Sequence, residues 1–187
     1  MILSADAMER ARRVRFLIFD VDGVLTDGVI YTGEMGELMK PFHVRDGLGI
    51  CQWQNEGFGT AIITGRDSAI VSRRAAELKI GDVYLGHADK RSAYDEIKER
   101  HGLQDDEVAY VGDDLIDLAV MAQVGFPAAP ADAVAEVQRL ACLVSGKPGG
   151  KGAVREIIEF LLKAQGRWEN VVARFTASAK VITNVSQ

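Results

Sequence analysis

Four short apolar runs, Arg15–Asp20, Thr60–Thr64, Asp82–Leu85 and Val108–Gly112, constrain this chain more than any other feature. Each is built from β-favouring residues and stops at a small or acidic one, and a weaker fifth run spans Phe126–Ala129. Helical patterns at Ala69–Leu78 and Lys90–His101 separate the second, third and fourth runs, while Leu115–Gln123 and Ala131–Leu140 follow the fourth and fifth. Strands that alternate with helices specify parallel βαβ units, because parallel neighbours need a crossover connection. The expected fold class is therefore α/β, a Rossmann-like parallel sheet flanked by helices, in one domain covering residues 1–187.

One interval breaks the alternation. Between Val29 and Phe42, β-formers surround Thr32-Gly33-Glu34 and Met35-Gly36-Glu37, a pattern that predicts a hairpin projecting from the sheet before a helix at Gly47–Asn55. A last helix is expected at Gly152–Gln165, and the tail from Asn170 to Gln187, with no sustained apolar period, is expected to be mobile. Apolar residues make up 48% and charged residues 26%, which excludes disordered and membrane-spanning classes. A net charge of −5 argues against a nucleic-acid partner. Cys51 and Cys142 stand apart from each other and from any histidine at ligand spacing, so neither a disulfide framework nor a zinc site is expected. The first residues mix Asp6 and Glu9 with arginines instead of leading into an apolar run, so a cytoplasmic location with no membrane partner is expected.

In an open parallel sheet, functional groups gather beyond the carboxyl ends of the strands. The residues ending the runs here are Asp20, Thr64 and Asp113, with Asp22 two residues after the first, Asp114 and Asp117 close to the last, and Lys90 opening the helix after the third. Carboxylates brought together repel, and burial protonates one of them unless a cation is present. An all-oxygen set favours a hard ion such as Mg²⁺, with ligands from Asp20, the Asp22 main-chain carbonyl and Asp113. The same set suits phosphoryl transfer, with a carboxylate nucleophile, Asp22 as acid and then base, and the Thr64 hydroxyl and Lys90 ammonium at the phosphate. Asp114 and Asp117 divide two roles between them, one orienting Lys90 or a metal-bound water and the other capping a helix.

Asp20-Val21-Asp22-Gly23-Val24-Leu25-Thr26-Asp27, then Thr64, Lys90 and Gly112-Asp113-Asp114-Leu115-Ile116-Asp117, resemble in order and setting the four motifs of the haloacid dehalogenase superfamily of phosphatases. Phe42-His43-Val44-Arg45-Asp46-Gly47, Ile63-Thr64-Gly65-Arg66 and Gly149-Gly150-Lys151-Gly152-Ala153-Val154-Arg155-Glu156 extend the resemblance to its cap-less family of 3-deoxy-D-manno-octulosonate 8-phosphate phosphatases, over roughly residues 12–166. That resemblance implies Asp20 as nucleophile, Asp22 as acid/base and Asp20, Asp22 and Asp113 as Mg²⁺ ligands. It also implies a homotetramer, and substrate contacts from His43, Val44, Arg45, Asp46 and Gly47 together with Arg66, Arg74 and Lys90. Asparagine is expected in relatives where this chain has His43.

Arginines at 45, 66 and 74 suit bidentate recognition of the carboxylate that a sugar acid carries beside its phosphate; the alternative reading of each is one half of a surface ion pair. Lys147, Lys151 and Arg155 flank a glycine-rich stretch that either folds over a site or simply starts a helix. The spacing between Asp20, Thr64 and Lys90 leaves no room for a cap domain, so a neighbouring subunit, met through the hairpin, is expected to wall the site. Competing readings are a phosphatase for a nine-carbon ulosonic acid phosphate, a phospho-accepting signalling domain and a non-catalytic scaffold. The absence of a carboxylate at Leu85-Gly86, where a receiver places its accepting aspartate, speaks against the signalling reading.

Overall fold

The computed structural model describes residues 1–183, those from 178 onward by backbone alone. The chain begins with β1 (Ile2–Leu3), α1 (Ala7–Ala11) and β2 (Phe16–Phe19), then forms the hairpin β3 (Tyr31–Gly33) and β4 (Gly36–Met39). Next come α2 (Val44–Asn55), β5 (Gly59–Ile63), α3 (Ala69–Glu77), β6 (Asp82–Tyr84), α4 (Lys90–His101) and β7 (Val108–Val111). The remainder is α5 (Leu118–Met121), β8 (Phe126–Ala129), α6 (Ala135–Leu140), β9 (Leu143–Val144), α7 (Ala153–Ala164) and α8 (Trp168–Thr183). The main sheet has seven strands in the order β1-β9-β8-β7-β2-β5-β6, and β3 and β4 pair only with each other. The expected α/β architecture with a projecting hairpin is thus present.

Burial explains why β2 reads as an unbroken apolar run. Successive side chains point to opposite faces of a strand, and here both faces are covered. Leu17 and Phe19 join Ala109, Val111 and Phe126 on the side covered by α1, α2 and α7, whereas Phe16 and Ile18 join Ala61, Ile63 and Tyr110 on the side of α4, α5 and α6. Fully burying one such side chain is worth about 1.5–3 kcal/mol.

The structure departs from the expected elements at the margins. The sheet is not wholly parallel: β1 pairs antiparallel with β9, and both are two-residue strands too short to carry a period. The expected helix at Leu115–Gln123 is a 3₁₀ turn over Leu115–Asp117 followed by one turn of α-helix, α5. Helix α2 starts at Val44, ahead of the glycine at which its onset was expected, and α6 starts later than expected, at Ala135. The tail expected to be mobile is helical through Thr183, held near its start by buried Val171 and by Arg174, 2.6 Å from Glu56. Residues 184–187 of that tail lie outside the described residues. Among the described residues no helix is long and apolar enough to cross a membrane.

Candidate active site

Strand order decides where a site forms. From β2 the chain adds β5 and β6 on one side and β7 to β9 on the other, and this reversal opens a crevice at the carboxyl ends of β2 and β7. Asp20 leaves β2 there, its N–H donating to the Val111 carbonyl at 3.0 Å, and Asp113 leaves β7 beside it. Thr64 follows β5, its N–H donating to the Tyr84 carbonyl at 2.9 Å. Lys90 is the first residue of α4, whose N-cap Asp89 accepts from the Arg91 N–H at 3.1 Å.

Lys90 is 1% exposed, and a buried ammonium persists only with partners. Its Nζ lies 2.7 Å from Asp117 Oδ1 and 2.9 Å from Asp20 Oδ1. Asp117 is itself fully occupied, because Oδ1 also accepts from the Tyr110 hydroxyl at 2.7 Å and Oδ2 accepts the N–H groups of Asp113 at 2.9 Å and Asp114 at 3.2 Å. Gly112 makes that arrangement possible: a Cβ there would stand 2.5 Å from the Cβ of Asp117. Asp114 caps the 3₁₀ turn through the Leu115 N–H at 2.7 Å. The two open roles are therefore separated, with Asp117 orienting Lys90 and Asp114 capping.

Oxygens of Asp20, Asp113 and Asp117 lie within 4.8 Å of one another. Burial, followed by the charges of Asp20 and Asp117, pushes the Asp113 carboxyl up to about 8. Burial also pushes Asp20 up to about 6, against the opposing pull of Lys90. One ammonium does not neutralise three carboxylates gathered this closely. Asp113 Oδ1 is buried without a hydrogen-bond partner, and Gly23, at φ +90°, lets the first loop approach so closely that a Cβ would sit 2.0 Å from Asp113 Oδ2. With Asp117 saturated, Asp20 and Asp113 are the carboxylates with lone pairs to offer a hard cation, which fits Mg²⁺. The Asp22 side chain stands outside this trio, so any contribution it makes to the cation comes through its main chain.

Asp22 is met by two cations, one of which, Lys40, the sequence did not reveal. Lys40, immediately after the hairpin and with only 4% of its side chain exposed, donates from Nζ to Asp22 Oδ1 and lies 3.1 Å from Glu37 Oε1. Arg66, at the expected position, approaches Asp22 Oδ2 at 3.7 Å. Tyr110 was legible only as an apolar strand residue.

The stretch from His43 to Gly47 divides. Val44 and Arg45 are exposed, but Asp46, 1% exposed, accepts the Arg155 N–H at 2.7 Å and the Gly152 N–H at 3.2 Å, tying α2 to the start of α7. Within this subunit Asp46 presents no surface to a substrate. A Cβ on Gly47 would meet Arg74 Nη2 at 2.3 Å, and Arg74 lies against the Phe42 ring and pairs with Glu77 at 3.1 Å. Gly47 and Arg74, with His43 and Asp46, line a small, mostly apolar cavity beside Leu25 and Ile50, away from the carboxylate cluster. The glycine-rich stretch supports the first motif: a Cβ on Gly149 would lie 1.8 Å from the Gly23 carbonyl oxygen, and the Gly150 N–H donates to the Val24 carbonyl at 3.0 Å.

Residues 75–158 match the model of the haloacid dehalogenase-like hydrolase family. A curated 3-deoxy-D-manno-octulosonate 8-phosphate phosphatase, KdsC, of Escherichia coli is 47% identical over 165 residues, covering 88% of each chain. The crystal structure of the Yersinia pestis 3-deoxy-D-manno-octulosonate 8-phosphate phosphatase is 46% identical, covers 89% of this chain and 90% of its own, and superposes with a TM-score of 0.87. That of the Moraxella catarrhalis enzyme, in complex with magnesium ion, phosphate ion and KDO, is 36% identical with a TM-score of 0.89, covering 92% and 99%. The chain belongs to the 3-deoxy-D-manno-octulosonate 8-phosphate phosphatase family of haloacid dehalogenase-like hydrolases.

Proposed function

We propose that this protein is a Mg²⁺-dependent phosphatase that hydrolyses 3-deoxy-D-manno-octulosonate 8-phosphate to the free sugar acid and phosphate, a step in making lipopolysaccharide precursors. The carrying observation is a buried Asp20, pinned by Lys90 and set beside an Asp113 oxygen with no partner, at the switch point of the sheet. Asp20 attacks phosphorus, the bond to the sugar oxygen breaks, and Asp22 delivers a proton to the departing alkoxide. Asp22 then takes a proton from water as that water attacks the aspartyl-phosphate, releasing phosphate and restoring Asp20. The Thr64 hydroxyl and Lys90 ammonium supply donors and positive charge around the phosphate. Asp20 and Asp113, with the main chain of Asp22, hold the Mg²⁺, which when bound adds positive charge at the phosphate oxygens and cancels repulsion among the carboxylates.

In this reading Arg66, beside Asp22 and nearly half exposed, meets the sugar-acid carboxylate, with Arg45 as a second exposed cation. The proposed assembly is a cytoplasmic homotetramer joined through the hairpin, where Met35, Leu38 and Met39 are exposed around the turn. Relative kcat/KM on the eight-carbon substrate and on a nine-carbon ulosonic acid 9-phosphate tests the substrate assignment. The eight-carbon ester should be preferred, and a preference for the nine-carbon ester would replace the assignment.

A further inference from the structure

We propose that Lys40 is a positioning residue for the acid/base step. The inference rests on the reading of Asp22 as acid/base and names what holds it.

Asp22 is reached by two cations on different oxygens. Lys40 Nζ donates to Oδ1, whereas Arg66 Nε stays 3.7 Å from Oδ2, beyond hydrogen-bond distance. Oδ2 is consequently buried with no hydrogen-bond partner. A carboxyl group tied through one oxygen and bare at the other is oriented: the bare oxygen is the one that can carry a proton to the leaving group and later accept one from water. A freely rotating carboxyl would spend much of its time with neither oxygen aimed at the reacting atoms, and orientation of this kind is a large part of what a positioned acid contributes.

Lys40 is fixed in turn. Its side chain is 4% exposed, Glu37 Oε1 stands 3.1 Å from Nζ, and Glu37 accepts from the hydroxyl of Ser68, the N-cap of α3. The chain of contacts Asp22–Lys40–Glu37–Ser68 joins the first motif, the base of the hairpin and the loop after β5 that carries Thr64 and Arg66. Lys40, buried between two carboxylates immediately after the hairpin, is the group that links Glu37 to Asp22.

The test is pre-steady-state kinetics of Lys40→Met, which keeps most of the side-chain volume, beside Lys40→Arg and Asp22→Asn. Two substrates are used, 3-deoxy-D-manno-octulosonate 8-phosphate and p-nitrophenyl phosphate, whose nitrophenolate departs without a proton. Lys40→Met should lower kcat on the sugar ester about 100-fold, within the range of a lost acid/base contribution. On p-nitrophenyl phosphate it should give a burst of nitrophenol of about one equivalent per site, because the first step no longer needs the acid while the second still needs the base. Lys40→Arg should recover to within about tenfold of the parent kcat, since its fork can still donate to Oδ1. Equal loss on both substrates with no burst, or no loss at all, would overturn the role of Lys40. If Asp22→Asn itself retains full turnover of the sugar ester, the acid/base reading fails instead. If the Lys40→Met chain does not fold, Glu37→Gln decides: it frees Lys40 from its anchor and should lower kcat on the sugar ester with a smaller loss on the nitrophenyl ester, and an equal loss on both, or none, would overturn the role of Lys40.

Discussion

Filling the carboxylate cluster with a cation should expel a proton. In the metal-free chain the Asp113 carboxyl sits at about 8 and Asp20 at about 6, so at pH 7 the first is protonated in roughly ten molecules of eleven and the second in roughly one of eleven. Mg²⁺ needs both as carboxylates, so binding at pH 7 should release about one proton per site, falling to about a tenth at pH 9. The same competition should weaken apparent affinity about tenfold from pH 9 to pH 7, and about 200-fold by pH 6, where Asp20 also holds half a proton. Both groups are raised above their unfolded values near 4, so the unfolded chain binds fewer protons than the folded one between about pH 4 and pH 8. Stability of the metal-free protein should therefore decline with rising pH across that window, and saturating Mg²⁺ should flatten the decline. Isothermal titration of Mg²⁺ in buffers of different ionisation enthalpy reads the proton count directly. Zero proton release at pH 7, with affinity flat from pH 6 to 9, would refute the claim that these carboxyls are buried together in want of a cation.

Gly23→Ala places a Cβ 2.0 Å from Asp113 Oδ2 on a backbone at φ +90°, so it should displace Asp113, cost about 1–3 kcal/mol of stability and weaken Mg²⁺ more than tenfold, read by thermal melting and titration. Asp46→Ala removes the group that ties α2 to α7 and should destabilise by about 1–2 kcal/mol while leaving KM unchanged; a KM rise without a stability loss would restore the substrate role implied by resemblance. Leu38→Glu, on the exposed hairpin, should lower the mass measured by light scattering, and an unchanged oligomer would move the proposed interface elsewhere.

Which features are legible in the sequence follows from how local the signal of each one is. Asp20, Thr64 and Asp113 were legible because a parallel sheet sends every strand end to one edge, and Lys90 because it opens the next crossover helix. Asp114 and Asp117 are three residues apart on one turn, and only the inward direction of Asp117, allowed by Gly112, assigns them. Lys40 and Tyr110 gave no signal, since one is a lysine beside a hairpin and the other an apolar-run residue until folding brings them to Asp22 and Asp117. The tie that Asp46 makes was hidden for a similar reason: its partners are the N–H groups of Gly152 and Arg155, more than a hundred positions along the chain. The paired two-residue strands β1 and β9 were invisible because two residues carry no period.

Asp20 as the phosphate-accepting nucleophile is the step on which the proposed reaction depends. The most direct measurement is a rapid acid quench during turnover of phosphate-labelled 3-deoxy-D-manno-octulosonate 8-phosphate with Mg²⁺, followed by borohydride reduction and peptide mass analysis. The label should stay on the chain and reduction should convert position 20 alone to homoserine, with nothing trapped in Asp20→Asn. Full turnover with no label on the chain, or label on another residue, would contradict it.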